Sequence, residues 1–253
     1  MDQRPRLIAH RGYPRRYPEN TLEGIEAALK AGACFVEFDV QVTADGVPVL
    51  LHDASLLRTS GKRGRIFNTN LEKLEGLCVN EPKRFGKRFR NVTVPTLTAT
   101  VELLRHYPSA TAFVELKEES MEQLGREKII KNILEILAPI LERCVIISYD
   151  TLAIRCARAM GAQRIGWVIK KWDAESLTTA TELVPDFLFC NVTKIPKDPK
   201  SLWRGPWQWA LYDITRPKQA LELAAHGVGF IETMAIGDML KDPSLRSGAC
   251  LGH

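Results

Sequence analysis

Short runs rich in branched and aromatic residues alternate with longer segments of helical spacing along nearly the whole chain. "RLIAHRG", "CFVEFDVQVT", "TAFVELK", "VIISYD", "RIGWVIK", "DFLFCNV", "WQWALYD" and "GFIETMA" read as strands. "NTLEGIEAALKAG", "TLTATVELLRHYP", "MEQLGREKIIKNILEILAPILERC", "TLAIRCARAMGA", "DAESLTTATELV" and "RPKQALELAAHG" read as helices. Parallel neighbours cannot be joined by a tight hairpin, so this alternation supplies the crossovers a parallel sheet requires. About eight such units within 253 residues predict an α/β fold, a closed (β/α)₈ (TIM) barrel. A doubly wound open sheet has the same alternation, but no Gly-rich dinucleotide fingerprint accompanies it here.

The first helix has its own punctuation: Asn20 or Thr21 as cap, Glu23 in the first turn and Gly32 just past the end. After the second strand, the "ADG" turn leads into "VPVLLHD", a hairpin return. Ala54 to Val94 then breaks the rhythm. It is basic, holds several Gly and Asn, and is long for a connecting loop, so it reads as an insertion (54–94) over one barrel face. It is expected to act as a lid or substrate rim within a single domain, 1–253.

With 45% hydrophobic and 26% charged residues, the chain can bury a core and is far from disorder. A net charge of +5 suits an acidic small molecule and gives no argument for nucleic acid. The six cysteines form no CxxC pair and several sit in apolar runs, which predicts free, buried thiols and a reducing compartment. "MDQRPRLIAHRG" has no apolar signal core, and no stretch approaches the roughly 20 apolar residues of a membrane span. A cytoplasmic protein without a stable membrane anchor is expected.

In a barrel, chemistry collects at the C-terminal ends of the strands. His10 and Arg11 end the first strand, Glu37 and Asp39 lie on the second, His52 and Asp53 end the hairpin return, and Glu115 and Lys117 close the next strand. Side chains alternate across a strand, so Glu37 and Asp39 share one face. Adjacent carboxylates repel unless a cation lies between them. With Glu115 as a third oxygen ligand, the set suits one divalent cation, Mg²⁺ or Ca²⁺. His10 and His52 supply an acid/base pair near neutral pH, and Arg11 and Lys117 add fixed positive charge. Displacement at a phosphate diester needs these groups. Glu19 reads as favouring the helix N-terminus, or else as binding ligand in the loop, and Trp172 and Trp209 as candidate walls of an alcohol subsite.

In this constellation the sequence resembles the glycerophosphodiester phosphodiesterases, metal-dependent TIM-barrel enzymes related to phosphoinositide-cleaving phospholipases. The resemblance lies in Ala9 to Gly64, with HRG, PENT, E-x-D, a D-G turn, then HD followed by L-x-R-T-x-x-x-G, and again in "VPTL" and "FVELK". It implies catalytic roles for His10 and His52, metal ligation by Glu37, Asp39 and Glu115, and phosphate contacts from Arg11 and Lys117. It also implies a small-molecule glycerophosphodiester as substrate, cleaved to glycerol 3-phosphate and an alcohol in lipid metabolism. The second half departs from the family pattern. Trp209 begins "WALYD" where members tend to carry "WTVN", and "IETMAI" replaces the usual ending near the eighth strand.

Overall fold

The computed structural model describes residues 4–198 and 201–246. In chain order its elements are β1 (Arg6–Ala9), α1 (Leu22–Lys30), β2 (Phe35–Val42), β3 (Pro48–Leu50), α2 (Leu57–Ser60), α3 (Leu71–Glu75), α4 (Pro82–Phe85) and α5 (Leu97–Arg105). Then follow β4 (Thr111–Leu116), α6 (Glu118–Leu124), α7 (Arg126–Leu137), β5 (Cys144–Ser148), α8 (Thr151–Ala159), β6 (Ile165–Val168) and α9 (Ala174–Leu183). β7 (Phe187–Asn191), β8 (Gln208–Tyr212), α10 (Pro217–Ala225), β9 (Phe230–Thr233) and α11 (Ile236–Met239) complete the described strands and α-helices. The strands order as β1-β9-β8-β7-β6-β5-β4-β2-β3, and β1 also pairs with β2. That pairing closes a barrel of eight parallel strands. β3 stands outside it, antiparallel to β2 with Val40 opposite Leu50.

The strand period of two divides the side chains between two cores. Inward faces begin with Ile8, Phe35, Phe113, Phe187 and Phe230, which plug the barrel from below. Phe113 meets Phe187 edge-on at 5.1 Å, and Phe35 meets Phe230 at 5.2 Å, the arrangement ring quadrupoles favour. Two residues further along, the same faces turn polar: Ile8 gives way to His10, Phe35 to Glu37, Phe113 to Glu115 and Phe230 to Glu232. The alternate positions, among them Val36, Phe38, Val114, Leu116 and Ile231, pack outward beneath the helices. The plug thus sets the floor on which the polar residues stand.

Local punctuation mostly follows the sequence. Thr21 caps α1, its hydroxyl accepting from the Gly24 N–H, and Gly32 takes φ +97° just beyond the end. The long helix expected from Met121 to Cys144 is broken. Gly125, at φ +94°, separates α6 from α7, and residues 138–143 tighten into a 3₁₀ turn.

The inserted segment builds a small core of its own, from Val49 and Leu51 around β3 with Leu56, Ile66, Leu74, Val79, Val92 and Val94. It is docked by polar contacts, since the Glu19 N–H donates to Glu81 Oε1 at 2.7 Å and Arg84 donates to the Pro14 carbonyl. Cys78, Cys144, Cys156 and Cys190 are free, as read from the sequence, whereas Cys34 is disulfide-bonded; that corrects the expectation for this thiol. Cys250 lies outside the described residues.

Candidate active site

β1 ends one residue before His10, whose backbone N–H is held by the Thr233 carbonyl at 3.0 Å. Arg11 follows with φ +52°, a conformation that costs a residue with a Cβ about 1 kcal/mol or more. In that conformation its N–H donates to Glu37 Oε2 at 2.8 Å. Gly12 allows the turn: at φ +84°, a Cβ there would lie 2.7 Å from the Gly24 carbonyl carbon. The guanidinium of Arg11 then spans two acids, with Nη1 3.1 Å from Glu19 Oε1 and Nε 3.1 Å from Asp39 Oδ2.

The "PENT" residues each have a separate task. Glu19 does more than favour the helix N-terminus, because it is buried and accepts from Arg11 and from both terminal nitrogens of Arg58, at 2.8 and 2.7 Å. Asn20, at φ +53°, clamps Asp39 twice: its Nδ2 donates to Oδ2 at 2.8 Å, and its Oδ1 accepts the Asp39 N–H at 3.0 Å. Thr21 is left to cap the helix.

Glu37, Asp39 and Glu115 come together as the strand pattern predicts. Register places Asp39 beside Glu115, and a carboxylate oxygen from each of the three lies within 4.8 Å of the others. Lys117 reaches over them, its Nζ 3.1 Å from Asp39 Oδ1 and 2.7 Å from Glu115 Oε1. His52 lies across the mouth. Its Nδ1 is 2.7 Å from Asp53 Oδ1, and Asp53 Oδ2 accepts from Arg58 Nε at 2.6 Å. Arg58, from the insertion, therefore ties the Asp53 beside His52 to Glu19 beside Arg11.

The electrostatics divide these groups. Burial holds the His10 imidazole well below its ordinary value, and the adjacent Arg11 pushes in the same direction, so His10 is neutral. Burial, then the neighbouring Asp39 and Glu232, raise Glu37 well above the usual carboxylate range. Glu115 is also raised by burial, although Lys117 opposes it. Asp39 goes the other way, since Lys117 and Arg11 together outweigh its burial. Both cations are held firmly charged by these acids.

A cavity of about 200 Å³ opens over these groups, lined by His10, Arg11, His52 and Glu115 on one side and by Tyr149, Tyr212, Asp213 and Glu232 on the other. The Tyr149 and Tyr212 hydroxyls are hydrogen-bonded at 2.9 Å. Trp209 is not among the lining residues, which corrects its reading as a substrate contact. It stands one position before the inward Ala210, so the period of two turns it outward. There its Nε1 donates to the Trp203 carbonyl at 3.0 Å and its ring stacks on Trp172 at 5.3 Å. Trp172 is likewise occupied, stacked on Trp203 at 4.1 Å.

The acid cluster fits a cation. Its donors are all oxygen, three carboxylates share one small volume, and the buried Glu37 Oε1 has no hydrogen-bond partner among the described residues. Sequence reasoning placed Asp53 at the mouth and Arg58 in the L-x-R-T run without a task for either, and it missed Glu232 and the tyrosine pair. Glu232 had a signal: it follows Phe230 by two, as Glu37 follows Phe35 and Glu115 follows Phe113.

A closed parallel barrel whose C-terminal mouth gathers two histidines, buried carboxylates and two fixed cations defines a class of barrel built around an anion and a metal ion. Within that class the chain belongs to the glycerophosphoryl diester phosphodiesterase family, whose model matches residues 10–196. A glycerophosphodiester phosphodiesterase from Caldanaerobacter subterraneus subsp. tengcongensis is 33% identical over 155 residues, 61% of this chain and 62% of that one. Glycerophosphodiester phosphodiesterase 1 of Bos taurus is 41% identical over 111 residues, 44% of this chain; the match spans 33% of the bovine protein's length. A phosphodiesterase from Oleispira antarctica, solved in complex with the product sn-glycerol-3-phosphate, has the same fold with a TM-score of 0.83. It is 24% identical, and the superposition covers 94% of this chain and 96% of that one. Among the described residues no helix is long and apolar enough to cross a membrane.

Proposed function

We propose that this protein hydrolyses small-molecule glycerophosphodiesters to glycerol 3-phosphate and an alcohol, with His10 and His52 as its acid/base pair. The observation that carries this reading is the placement of two histidines on one cavity whose wall also holds Arg11 and Glu115, with Glu37 and Asp39 clustered on Glu115. Neutral His10 accepts a proton. His52, its Nδ1 fixed on Asp53, keeps Nε2 for the cavity and is assigned as the proton donor. Arg11 and Lys117 offset charge on the phosphoryl oxygens. A divalent cation, Mg²⁺ or Ca²⁺, held by Glu37, Asp39 and Glu115 would supply further neutralisation of that charge.

The free glycerol hydroxyl beside the ester makes a two-step route available. His10 takes its proton as that oxygen attacks phosphorus, and His52 gives a proton to the departing alcohol. Water then opens the cyclic phosphate as the two histidines exchange roles. Substrates lacking that hydroxyl test the route: equal cleavage means direct attack by water. The reading as a whole is tested by a diester panel with Mg²⁺, Ca²⁺ and chelator, scoring glycerol 3-phosphate. Release that depends on the cation supports it, and no release from any diester with either ion overturns it. The proposed compartment is the cytoplasm, on the four free cysteines; the disulfide at Cys34 argues the other way, and a thiol count on protein prepared under native conditions decides.

A further inference from the structure

The carboxylates of the mouth are unequally provided for. Asp39 meets Arg11, Lys117 and Asn20, and Glu115 meets Lys117. On the far side of Glu37 the partners run out. Glu37 Oε1, Glu232 Oε1 and His10 Nδ1 are buried and have no hydrogen-bond partner among the described residues. Glu232 is 3% exposed and lines the cavity. It arrives there from β9, whose register sets Ile8 beside Glu232, on the strand that leads to His10. One ligand atom each from His10, Glu37 and Glu232 lies within 4.8 Å of the others. A buried carboxylate without a counter-charge is costly, and a protein that keeps one there needs something to pair it.

We propose that His10, Glu37 and Glu232 form a second divalent-cation position, sharing Glu37 with the Glu37–Asp39–Glu115 set. Glu37 is then a bridging carboxylate between two ions, an arrangement common where phosphate esters are handled. An imidazole nitrogen beside two carboxylates favours a transition-metal ion, Zn²⁺ above all, with Mn²⁺ also accepted on the carboxylate oxygens, over Ca²⁺. His10 gives this a chemical consequence, which rests on the hydrolytic reading. A ring nitrogen bonded to a cation has no lone pair left to take a proton, and the other nitrogen carries the N–H. Filling the second position and proton acceptance by His10 therefore exclude one another. Excess Mn²⁺ or Zn²⁺ shuts turnover down by occupying a site beside the activating one.

The test is a Mn²⁺ titration of the metal-stripped full chain, read by calorimetry and by electron paramagnetic resonance. Two ions should bind in two steps, and the second should bring the spectrum of a spin-coupled pair; Glu232→Gln should bind one uncoupled ion. A single ion at saturation of the native protein overturns the proposal, and so does a coupled pair retained in Glu232→Gln. The native spectrum stands by itself should the variant fail to fold. Glycerol 3-phosphate release should rise with the first equivalent and fall with the second. Two bound ions with no fall remove His10 from the ligands. Two bound ions in a protein that cleaves no diester leave the second position standing and overturn the hydrolytic reading instead.

Discussion

The two halves of the barrel mouth are built to different rules. β1, β2 and β4 bring His10, Arg11, Glu37, Asp39, Glu115 and Lys117 to the mouth, where His10, Arg11 and Glu115 line the cavity. β5 to β8 raise Ile147, Tyr149, Val168, Phe189 and Tyr212 into it. His10 apart, the first half is an interlocked set of charges, with Arg11 fixed by Glu19 and Asp39, Asp39 by Asn20, Lys117 by Glu115 and Glu37 by the Arg11 N–H. The second half is apolar to aromatic, with one hydroxyl pair. On the proposed reading the contrast is a division of labour, with bond-breaking on one side and a tolerant wall for the alcohol on the other.

The largest effects should come from the charged side. Asp39→Asn removes the group on which Arg11, Lys117 and the cation converge. It should cost about 10⁴-fold in turnover, since charge neutralisation at a phosphoryl centre is worth several kcal/mol. Turnover within a few-fold of native at limiting cation would place the reacting phosphate elsewhere. Next in size are His10→Ala and His52→Ala, each expected to lose about 10²- to 10⁴-fold, with little further loss in the double variant. The pH profile of native turnover should be bell-shaped, and a flat one would remove the pair.

Arg58→Ala probes whether the insertion serves the charged half. It frees Asp53, and with it His52, and should lower kcat roughly 10-fold with a smaller change in KM, as expected for loss of hydrogen bonds to charged groups. An unchanged kcat would reduce Arg58 to a docking contact. Tyr212→Phe, on the other side, should cost only about 3-fold, and chiefly in KM, as one neutral hydrogen bond is lost. A larger loss in kcat would break the proposed contrast.

Stability separates the halves by pH. Glu37, Glu115 and Glu232 are raised by burial, so their contribution to stability is complete below the ordinary carboxylate range and is lost as pH rises through their higher folded values. Neutral His10 has the opposite dependence, but above its ordinary value of 6.5 that contribution is complete. As pH rises through those folded values the Tm of chelated protein should therefore fall, and the gain in Tm on adding cation should grow. A Tm of chelated protein that rises over this range would mean the carboxylates are not strained by their burial.

Most of the charged half was legible because it rests on short-range rules. A period of two puts Glu37 and Asp39 on one face, and strand ends locate His10, Arg11 and Glu115. What escaped depended on distant pairings. Glu232 is brought to the site by β9 closing on β1, and Arg58 by an insertion folding back over the mouth. Trp209 was misplaced by one register step, since its neighbour Ala210 takes the inward face. Gly125 went unnoticed as a break because the apolar spacing continues across it, while its positive φ is a backbone property.

One of the two proposed acid/base groups is not carried by the barrel. His52 follows β3, which has a single strand neighbour and an isolated bridge from Val49 to Thr96. Segments with few cooperative neighbours open at lower free energy than the body they lean on. Gentle heating or dilute denaturant should peel that edge first, so the molecule falls silent while its far-UV spectrum still reports an intact barrel. Should the hairpin and the small core around Val49 and Leu51 open before the barrel, activity would be lost below the global melting temperature.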